Sequence, residues 1–375
     1  MATKKQTILI LGGGPAGVTV ASSLSQSLDA CSFTIQLVTE RSFAVIWPGM
    51  LRGLTTSEGG FDERSLVGYE KLFAPGKPGE VIVGTAVGVN DGTVYLQDGR
   101  ALPYDWLVLA TGTTRDGPLA LPLERDDARR WIQDWHSKIT DAQEIVVIGG
   151  GAVGIEICGE IRHFLPPHKK ITIVHSQDQL LNAAYPAKYR QAILDAALDK
   201  DINVILSDHA NVPEGPFVSI KTENGYAMPA DLVIAARGGR LNTAFLSSFD
   251  PTILTPTGSV KVLPTLQVPL ANGKSNVFAL GDIIEWPEEK LIAKIPTQAG
   301  IVSANLLSAI RGTPQKQEYK GYMEFISVTL GPRGGRSFIP VLWGLVLGDF
   351  ATSNLKGKHL FVDQSRGGFV APQLR

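Results

Sequence analysis

The sequence predicts an α/β chain of two doubly wound, Rossmann-like domains, the second inserted in the first, with a small α+β C-terminal domain behind them. Three observations lead there. TILILGGGPAGVTVASSL at Thr7–Leu24 recurs in kind as EIVVIGGGAVGIEICGEI at Glu144–Ile161. Each copy lies between an apolar run and a helical pattern, and a second apolar run follows. At 375 residues the chain is long enough for two or three domains and a large core.

In the first copy, Ile8–Leu11 is a continuous apolar run of the kind a strand buried on both faces requires, and Val18–Leu28 carries the helical pattern. Between them stands Gly12-x-Gly14-Pro15-Ala16-Gly17. Gly12 permits the tight turn, Gly14 lets backbone approach a pyrophosphate, and Gly17 lets helix pack on strand, so the helix amino terminus faces phosphate. The strand FTIQLV then ends in Thr39-Glu40. Glu40 would accept the ribose hydroxyls, although it falls one position later than the strand-end acid expected, with Thr39 in that place.

In the second copy, the strand Ile145–Ile148 precedes Gly149-x-Gly151-x-x-Gly154, a helix runs from Ala152 to about Phe164, and KITIVH follows. That strand ends in His175-Ser176, where an acid would bind the 2′-hydroxyl of NAD. Without a carboxylate to repel a 2′-phosphate, His175, Ser176 and Gln177 tolerate NADPH as well as NADH. His175 is the candidate phosphate contact; the alternative is a solvent-facing loop that does not touch the 2′ position. Duplication of a structural unit would explain two fingerprints, but each copy keeps the glycines that only a close phosphate requires. The pair this implies is a tightly held FAD and an exchanging NADH or NADPH, between which hydride passes without a residue nucleophile.

The intervening GTAVGVNDGTVYLQDGRALPYDWLVLATGT reads as short strands with Asn-Asp-Gly and Gln-Asp-Gly turns, closing on Trp106–Ala110 and Thr111-Gly112. ENGYAMPADLVIAARGGRLN reprises it at Glu223–Asn242. DDARRWIQDWHSKI is a helix leading into the second fingerprint, its His136 a surface or packing residue. SNVFALGDI places Gly281-Asp282 beyond an apolar strand, and KIPTQAGIVSANLLSAI is a turn into a helix. The motif order gives an FAD domain at about 1–115 and 251–315, an NAD(P)H domain at 116–250 and a C-terminal domain at 316–375, entered through RGTPQKQEYKG.

Composition narrows the classes. Thirty-five basic against 36 acidic residues provide no global field for nucleic acid or a strongly anionic membrane. Cys31 and Cys158 lie far apart and form no C-x-x-C, which argues against a redox dithiol or a cysteine metal site; Cys158 reads as a small buried residue. The amino terminus MATKKQTILILGGG leaves no room for a signal peptide, Ala2 excludes N-myristoylation, and no apolar run approaches the roughly 20 residues of a spanning helix. A reducing, cytoplasmic location is expected, with peripheral contact to a membrane or lipid droplet left open.

The order G-x-G-x-x-G, A-T-G, G-x-G-x-x-G-x-E and G-D, spread over nearly the whole chain, resembles the two-dinucleotide flavoprotein reductases related to glutathione reductase. SFAVIWPGMLRG, IVHSQ and NLKGKHLFVD resemble the branch of apoptosis-inducing-factor homologues that includes the AMID-like, ferroptosis-suppressor proteins; type II NADH dehydrogenases are the next nearest kin. The resemblance implies Arg52 near the FAD phosphates, Thr111-Gly112 along the cofactor, Asp282 on a ribityl hydroxyl, and the helix after Pro296 aimed at the flavin pyrimidine, where its positive end would stabilise negative charge near N1. Gln298 sits at that terminus, or simply caps the helix.

The resemblance also places Glu156 near the nicotinamide and flavin N5 as a positioning residue; the alternative is a carboxylate favoured by the helix dipole alone. Lys294 and Lys356 resemble lysines near the flavin, against the plainer reading of solvated surface lysines. Two departures stand out: Arg237 in AARGG replaces the usual threonine, and no redox cysteine pair follows the first helix.

The acceptor expected after the flavin is a quinone of the ubiquinone kind. The rivals are a protein electron carrier and a redox-sensing flavoprotein of the apoptosis-inducing-factor type. FIPVLWGLVL at Phe338–Leu347 could line a quinone groove or dip into one leaflet, with the four basic residues and one acid of the tail from Asn354 to Arg375 on headgroups. The alternative is a buried strand, and Pro340 with Gly344 argues against a membrane helix.

Overall fold

The computed structural model of the chain describes residues 5–341 and 343–370; the amino-terminal Met1–Lys4, Leu342 of the apolar segment and the tail end Ala371–Arg375 lie outside them. The chain begins with strand β1 (Gln6–Leu11), helix α1 (Pro15–Ser27), strand β2 (Phe33–Thr39), helix α2 (Trp47–Gly53) and strand β3 (Glu80–Val83). A small antiparallel sheet of Ala86–Asn90, Thr93–Leu96 and Ala101–Pro103 follows, its two turns closed by Gly92 and Gly99 at positive φ. The chain returns as β4 (Trp106–Leu109) and leaves through α3 (Arg125–Asp141), β5 (Glu144–Ile148), α4 (Ala152–Phe164), β6 (Lys170–Val174), α5 (Ala187–Leu198), β7 (Ile202–Ile205) and β8 (Leu232–Ala235). It comes back with β9 (Val277–Ala279) and α6 (Ile295–Ile310), forms the antiparallel β10 (Ile326–Thr329), β11 (Gly335–Ile339) and β12 (Leu345–Leu347), and closes with a π turn (Ser353–Gly357) between the short helices Asp349–Thr352 and Val362–Gly367.

Two parallel sheets result, in the orders β9-β4-β1-β2-β3 and β7-β6-β5-β8. The unbroken apolar strands are explained by this topology. Ile8, Leu9 and Ile10 of β1 are fully buried in a core shared by α1, α6 and the Val89, Val94 and Leu96 side chains of the small antiparallel sheet, so the strand is covered on both faces. Helix α1 starts three residues before the predicted Val18, since Gly14 is its N-cap and Pro15 supplies the φ of the first turn. Its carboxy-terminal neighbour in space is α6, which packs beside it on the first sheet.

The two units are joined where Thr113–Thr114 pairs antiparallel with Arg240–Leu241. Thr111 Oγ1 donates to the Asn242 carbonyl at 2.6 Å, and the Asn242 N–H donates to Gly112 O at 2.9 Å. The return crossing therefore falls near Asn242, earlier than the expected boundary at 250: Leu246 already packs in the core of the first unit, as does Ile253 beyond it, where expected. The C-terminal segment also differs from the domain expected at 316–375. Its buried apolar residues divide between the two cores, Tyr319, Leu360, Val362 and Phe369 in the first and Ile326, Val328, Leu330 and Phe338 in the second. It is a clasp across both units.

The apolar segment after Phe338 is the hairpin of β11 and β12. Phe338 is buried, whereas Val341, Trp343 and Leu345 are exposed, as is Phe350 beyond it. No helix among the described residues is long and apolar enough to cross a membrane. Phe278, fully buried in β9, fills the first core. Phe278→Ala should cost about 3–5 kcal/mol, read as a lowered urea midpoint at unchanged slope.

Candidate active site

The two fingerprints fold into superimposable cradles, and a glycine is needed at each for a reason visible in the coordinates. At Gly12, φ is +116° and an added Cβ would sit 2.1 Å from the Ala110 carbonyl oxygen; at Gly149, φ is +121° and the same atom would sit 2.4 Å from Ala236 O. Gly17 and Gly154 would each press a Cβ to within 2.0 and 1.9 Å of the Gly12 and Gly149 oxygens. Gly14 and Gly151 are different: no atom lies within 4 Å of a Cβ there. Each is an N-cap with no side-chain acceptor for the first-turn N–H groups. Open space before uncapped donors at the positive end of a helix is what a pyrophosphate requires, so both cradles fit a dinucleotide.

The strand ends complete the comparison. Leu11 pairs with Val38 and Ile148 with Val174, which makes Thr39 equivalent to His175 and Glu40 to Ser176. Thr39 is buried under the first loop beside Tyr69, whose hydroxyl donates to Gly13 O at 2.7 Å. Burial pushes the Tyr69 hydroxyl up to about 12, so it stays a donor. Glu40 keeps a partly exposed carboxylate one residue beyond the end of β2, ion-paired with Arg41, whose guanidinium also reaches Leu121 O and Pro122 O.

His175 does not take the phosphate-facing role expected of it. Its Nδ1 accepts from the Gly150 N–H at 3.1 Å, which puts the proton on Nε2, turned toward Leu181 O at 3.4 Å. The ring is a strut beneath the second loop, and burial lowers its pKa from the ordinary value. Ser176 and Gln177 are exposed. Arg237 is exposed too, its preceding residue Ala236 supplying the carbonyl beneath Gly149.

Arg52 also needs correction. Its guanidinium is consumed within the protein: Nε and Nη2 fork onto Glu160 at 2.8 and 2.9 Å, Nη2 also reaches Gly357 O at 2.6 Å, and Nη1 reaches Lys358 O at 3.3 Å.

Around the end of β9, the Gly281 N–H donates to Gln298 Oε1 at 2.8 Å, and Gln298 Nε2 donates to Glu288 at 3.1 Å. Gln298 is thus a tie from the first turn of α6 to the Gly281 loop; it does not cap its own helix. Lys294 is no surface lysine: it is 1% exposed, 2.6 Å from Glu324 and 3.3 Å from Glu288, with the Tyr319 hydroxyl donating to Glu288 as well. Burial raises the Asp282 carboxyl above the usual range, while the Arg115 guanidinium and Lys290 ammonium pull it back. Arg115, which sequence reasoning missed, lies beyond Thr111-Gly112 with its guanidinium 5.8 Å from the Trp47 ring centre.

Glu156 and Lys356 meet. Lys356 Nζ binds Glu156 Oε1, which also accepts from the Thr329 N–H at 3.1 Å, and Nζ donates to Ser327 O at 3.0 Å. The lysine side chain is 13% exposed and that of the glutamate 7%. Glu156 stands in the first turn of α4, so the pair lies beside the second cradle. Dipole stabilisation alone and a solvated lysine are both overturned.

Residues 6–299 match the family described as pyridine nucleotide-disulphide oxidoreductase. The chain belongs to this family. FAD and NAD(P)H are the family's cofactors, two cradles are present for them, and the protein is an FAD-dependent oxidoreductase. Similar proteins include the FAD-dependent oxidoreductase FVFD30 of Flammulina velutipes, 38% identical over 81% of this chain and 95% of that one. Apoptosis-inducing factor homolog B of Dictyostelium discoideum is 30% identical over 97% of each. Human ferroptosis suppressor protein 1 is 27% identical over 96% of this chain and 94% of its own. The sulfide:quinone oxidoreductase of Aquifex aeolicus shares the fold with a TM-score of 0.76 at 19% identity, covering 98% of this chain and 93% of that one. The disulphide of the family's description has no counterpart here, because Cys31 is exposed and Cys158 buried in α4, where burial raises its thiol far above the ordinary value.

Gly14→Ala introduces no strain in the protein and should leave melting of the flavin-free chain unchanged while abolishing co-purified flavin absorbance. Gly149→Ala, with both positive φ and a clash, should lower the melting temperature itself. His175 adds a pH dependence. Its folded pKa is lowered, so its contribution to stability is present above the unfolded value of about 6.5 and is lost as pH falls through the folded value. Melting temperatures from pH 7.5 downward should show that acid loss in the wild type and a smaller one in His175→Gln, where His163, its pKa also lowered by burial, still contributes.

Proposed function

We propose that this oxidoreductase passes electrons from NAD(P)H through FAD to a quinone, with Glu156 and Lys356 as its catalytic residues. The observation that carries the reading is the buried Glu156–Lys356 pair on the first turn of the second cradle's helix. A quinone reduced to its quinol takes two electrons and two protons, whereas a one-electron protein carrier needs no proton. A buried carboxylate and ammonium bonded to each other hold a proton that can be lent and recovered. Bound in the first cradle, FAD would supply a two-electron relay from the hydride of NAD(P)H to the quinone, while the Glu156–Lys356 pair would serve the quinone's proton uptake.

The rest of the site serves binding and placement. The first-turn N–H groups before Gly14 and Gly151 would hold the two pyrophosphates, Glu40 the ribose on the FAD side, and Thr111 and Gly112 the span between. Asp282 would bond the ribityl chain, with Arg115 balancing its charge. Lys294 acts at one remove, since its ammonium is spent on Glu288 and Glu324 and reaches the flavin side only through Gln298 and Gly281. On the nicotinamide side, Ser176 stands where Glu40 stands in the first cradle, so neither a carboxylate rejects NADPH nor does His175 select it, and both nicotinamides are substrates. The exposed Val341, Trp343 and Leu345 of the hairpin suit a membrane surface where a lipid-soluble quinone would be met.

The test is anaerobic rapid mixing of the yellow protein with NADH or NADPH, then with a soluble ubiquinone analogue. Wild type should be reduced by both and reoxidised by the quinone. Lys356→Met and Glu156→Gln, with flavin content unchanged, should slow quinone-dependent turnover about 10²-fold. Full turnover in both variants, or flavin that no quinone reoxidises, overturns the reading.

A further inference from the structure

Lys356 is carried by one π turn, Ser353–Gly357, near the end of the described chain, while its partner Glu156 belongs to α4. The two are 200 positions apart in sequence. A lysine hangs from a flexible four-carbon stem, so where its ammonium rests depends on what fixes its backbone. Ser353 Oγ donates to Pro332 O at 2.8 Å, and Gly357 is pressed so close to Pro332 that an added Cβ would lie 2.7 Å from that carbonyl. These contacts fix the turn to the C-terminal clasp. They reach α4 only at second hand, through Leu330, which packs on Gly159; none of them binds the turn to that helix directly.

Arg52 does. One edge of its guanidinium forks onto Glu160, one helical turn after Glu156 on the same face of α4. The other edge donates to the carbonyls of Gly357 and Lys358, the two residues that follow Lys356. The rings of Phe61 and Phe164 lie 4.9 and 5.6 Å from the guanidinium carbon and hold its plane. The side chains of Arg52 and Glu160 are 4% and 2% exposed, so this is a dry, closed contact. The planar fork sets the directions of its donors and spreads them over two edges, so it reaches Glu160 and both carbonyls at once in one fixed geometry, which a single ammonium on a flexible stem does not reproduce.

We propose that Arg52, braced by Glu160, is a positioning residue that holds the Lys356 ammonium on Glu156. It touches neither cofactor nor substrate. The proposal rests on the catalytic reading of the Glu156–Lys356 pair and adds that a second ion pair, one turn along the helix, sets its geometry. A buried ion pair kept only for stability can be replaced by apolar side chains of similar volume without loss. A latch on two carbonyls cannot.

That difference gives the test. Arg52→Lys keeps the charge beside Glu160 and loses the bridge; Arg52→Met with Glu160→Leu leaves no lone charge buried and also loses it. Both should lower the limiting rate of turnover with the ubiquinone analogue about tenfold, with KM for NADH within about twofold of wild type. Hydrogen exchange of the purified holoprotein should quicken in peptides spanning residues 353–362 and remain unchanged in those of β1 and β5. Placed in a Lys356→Met background, either change should add no further loss of rate, since the residue being positioned is gone. A full rate in the Met/Leu variant while Lys356→Met is slow overturns this proposal alone, as does a loss that adds in full to that of Lys356→Met. A full rate in Lys356→Met itself overturns the catalytic reading of the pair and this proposal with it.

Discussion

Both cradles depend on one close approach of backbone to backbone: a glycine at the end of a central strand lies against the carbonyl at the end of the neighbouring strand, Gly12 on Ala110 and Gly149 on Ala236. Much else is arranged by it. Because no side chain intervenes, the loop can turn sharply enough for a second glycine to open a donor-lined hollow and for a third to let the helix settle on the sheet. The same carbonyls begin the segments that carry the chain from one unit to the other. Cradle and crossing are therefore adjacent, and the two hollows are held at a distance set by covalent geometry and by one short antiparallel pairing.

Buried charge does the complementary work between the units. Helix α4 presents Glu156 and Glu160 on one face, each answered by a cation from elsewhere in the chain, Lys356 and Arg52. On the other side of the first sheet's edge, Lys294 gathers Glu288 and Glu324 beneath the loop of Gly281. Such pairs contribute little net stability against apolar replacements, and breaking one partner is expensive. Their effect is on placement: a charged group without water has few tolerable positions, and its neighbours inherit that restriction.

The cradles were legible in the sequence because all their determinants lie within a few residues. Glycine spacing, flanking apolar runs and the position of the first helix are local, and the doubled pattern gave the architecture. Side-chain direction was less accessible. His175 was located correctly at the strand end, but nothing in IVHSQ says that the ring folds back under Gly150. Arg52 had a resemblance to place it near phosphate, while its real partner stands 108 residues away. Lys294 and Lys356 could not be told from surface lysines, since burial depends on what packs over them. The return boundary is not legible because apolar content runs through Phe245 and Leu246 with no break in composition, and only packing shows which core Leu246 joins.

The paired strands Thr113–Thr114 and Arg240–Leu241 make the entrance and exit of the inserted unit neighbours. Mechanically this is a swivel: a body attached by two adjacent strands can twist about them more easily than it can slide. The clasp at the other side, rooted in both cores, and α2, whose Met50 and Leu51 pack with the following Leu54 in the second core, take up that freedom, so the separation of the two hollows is held by side-chain packing rather than by the strands that enter and leave.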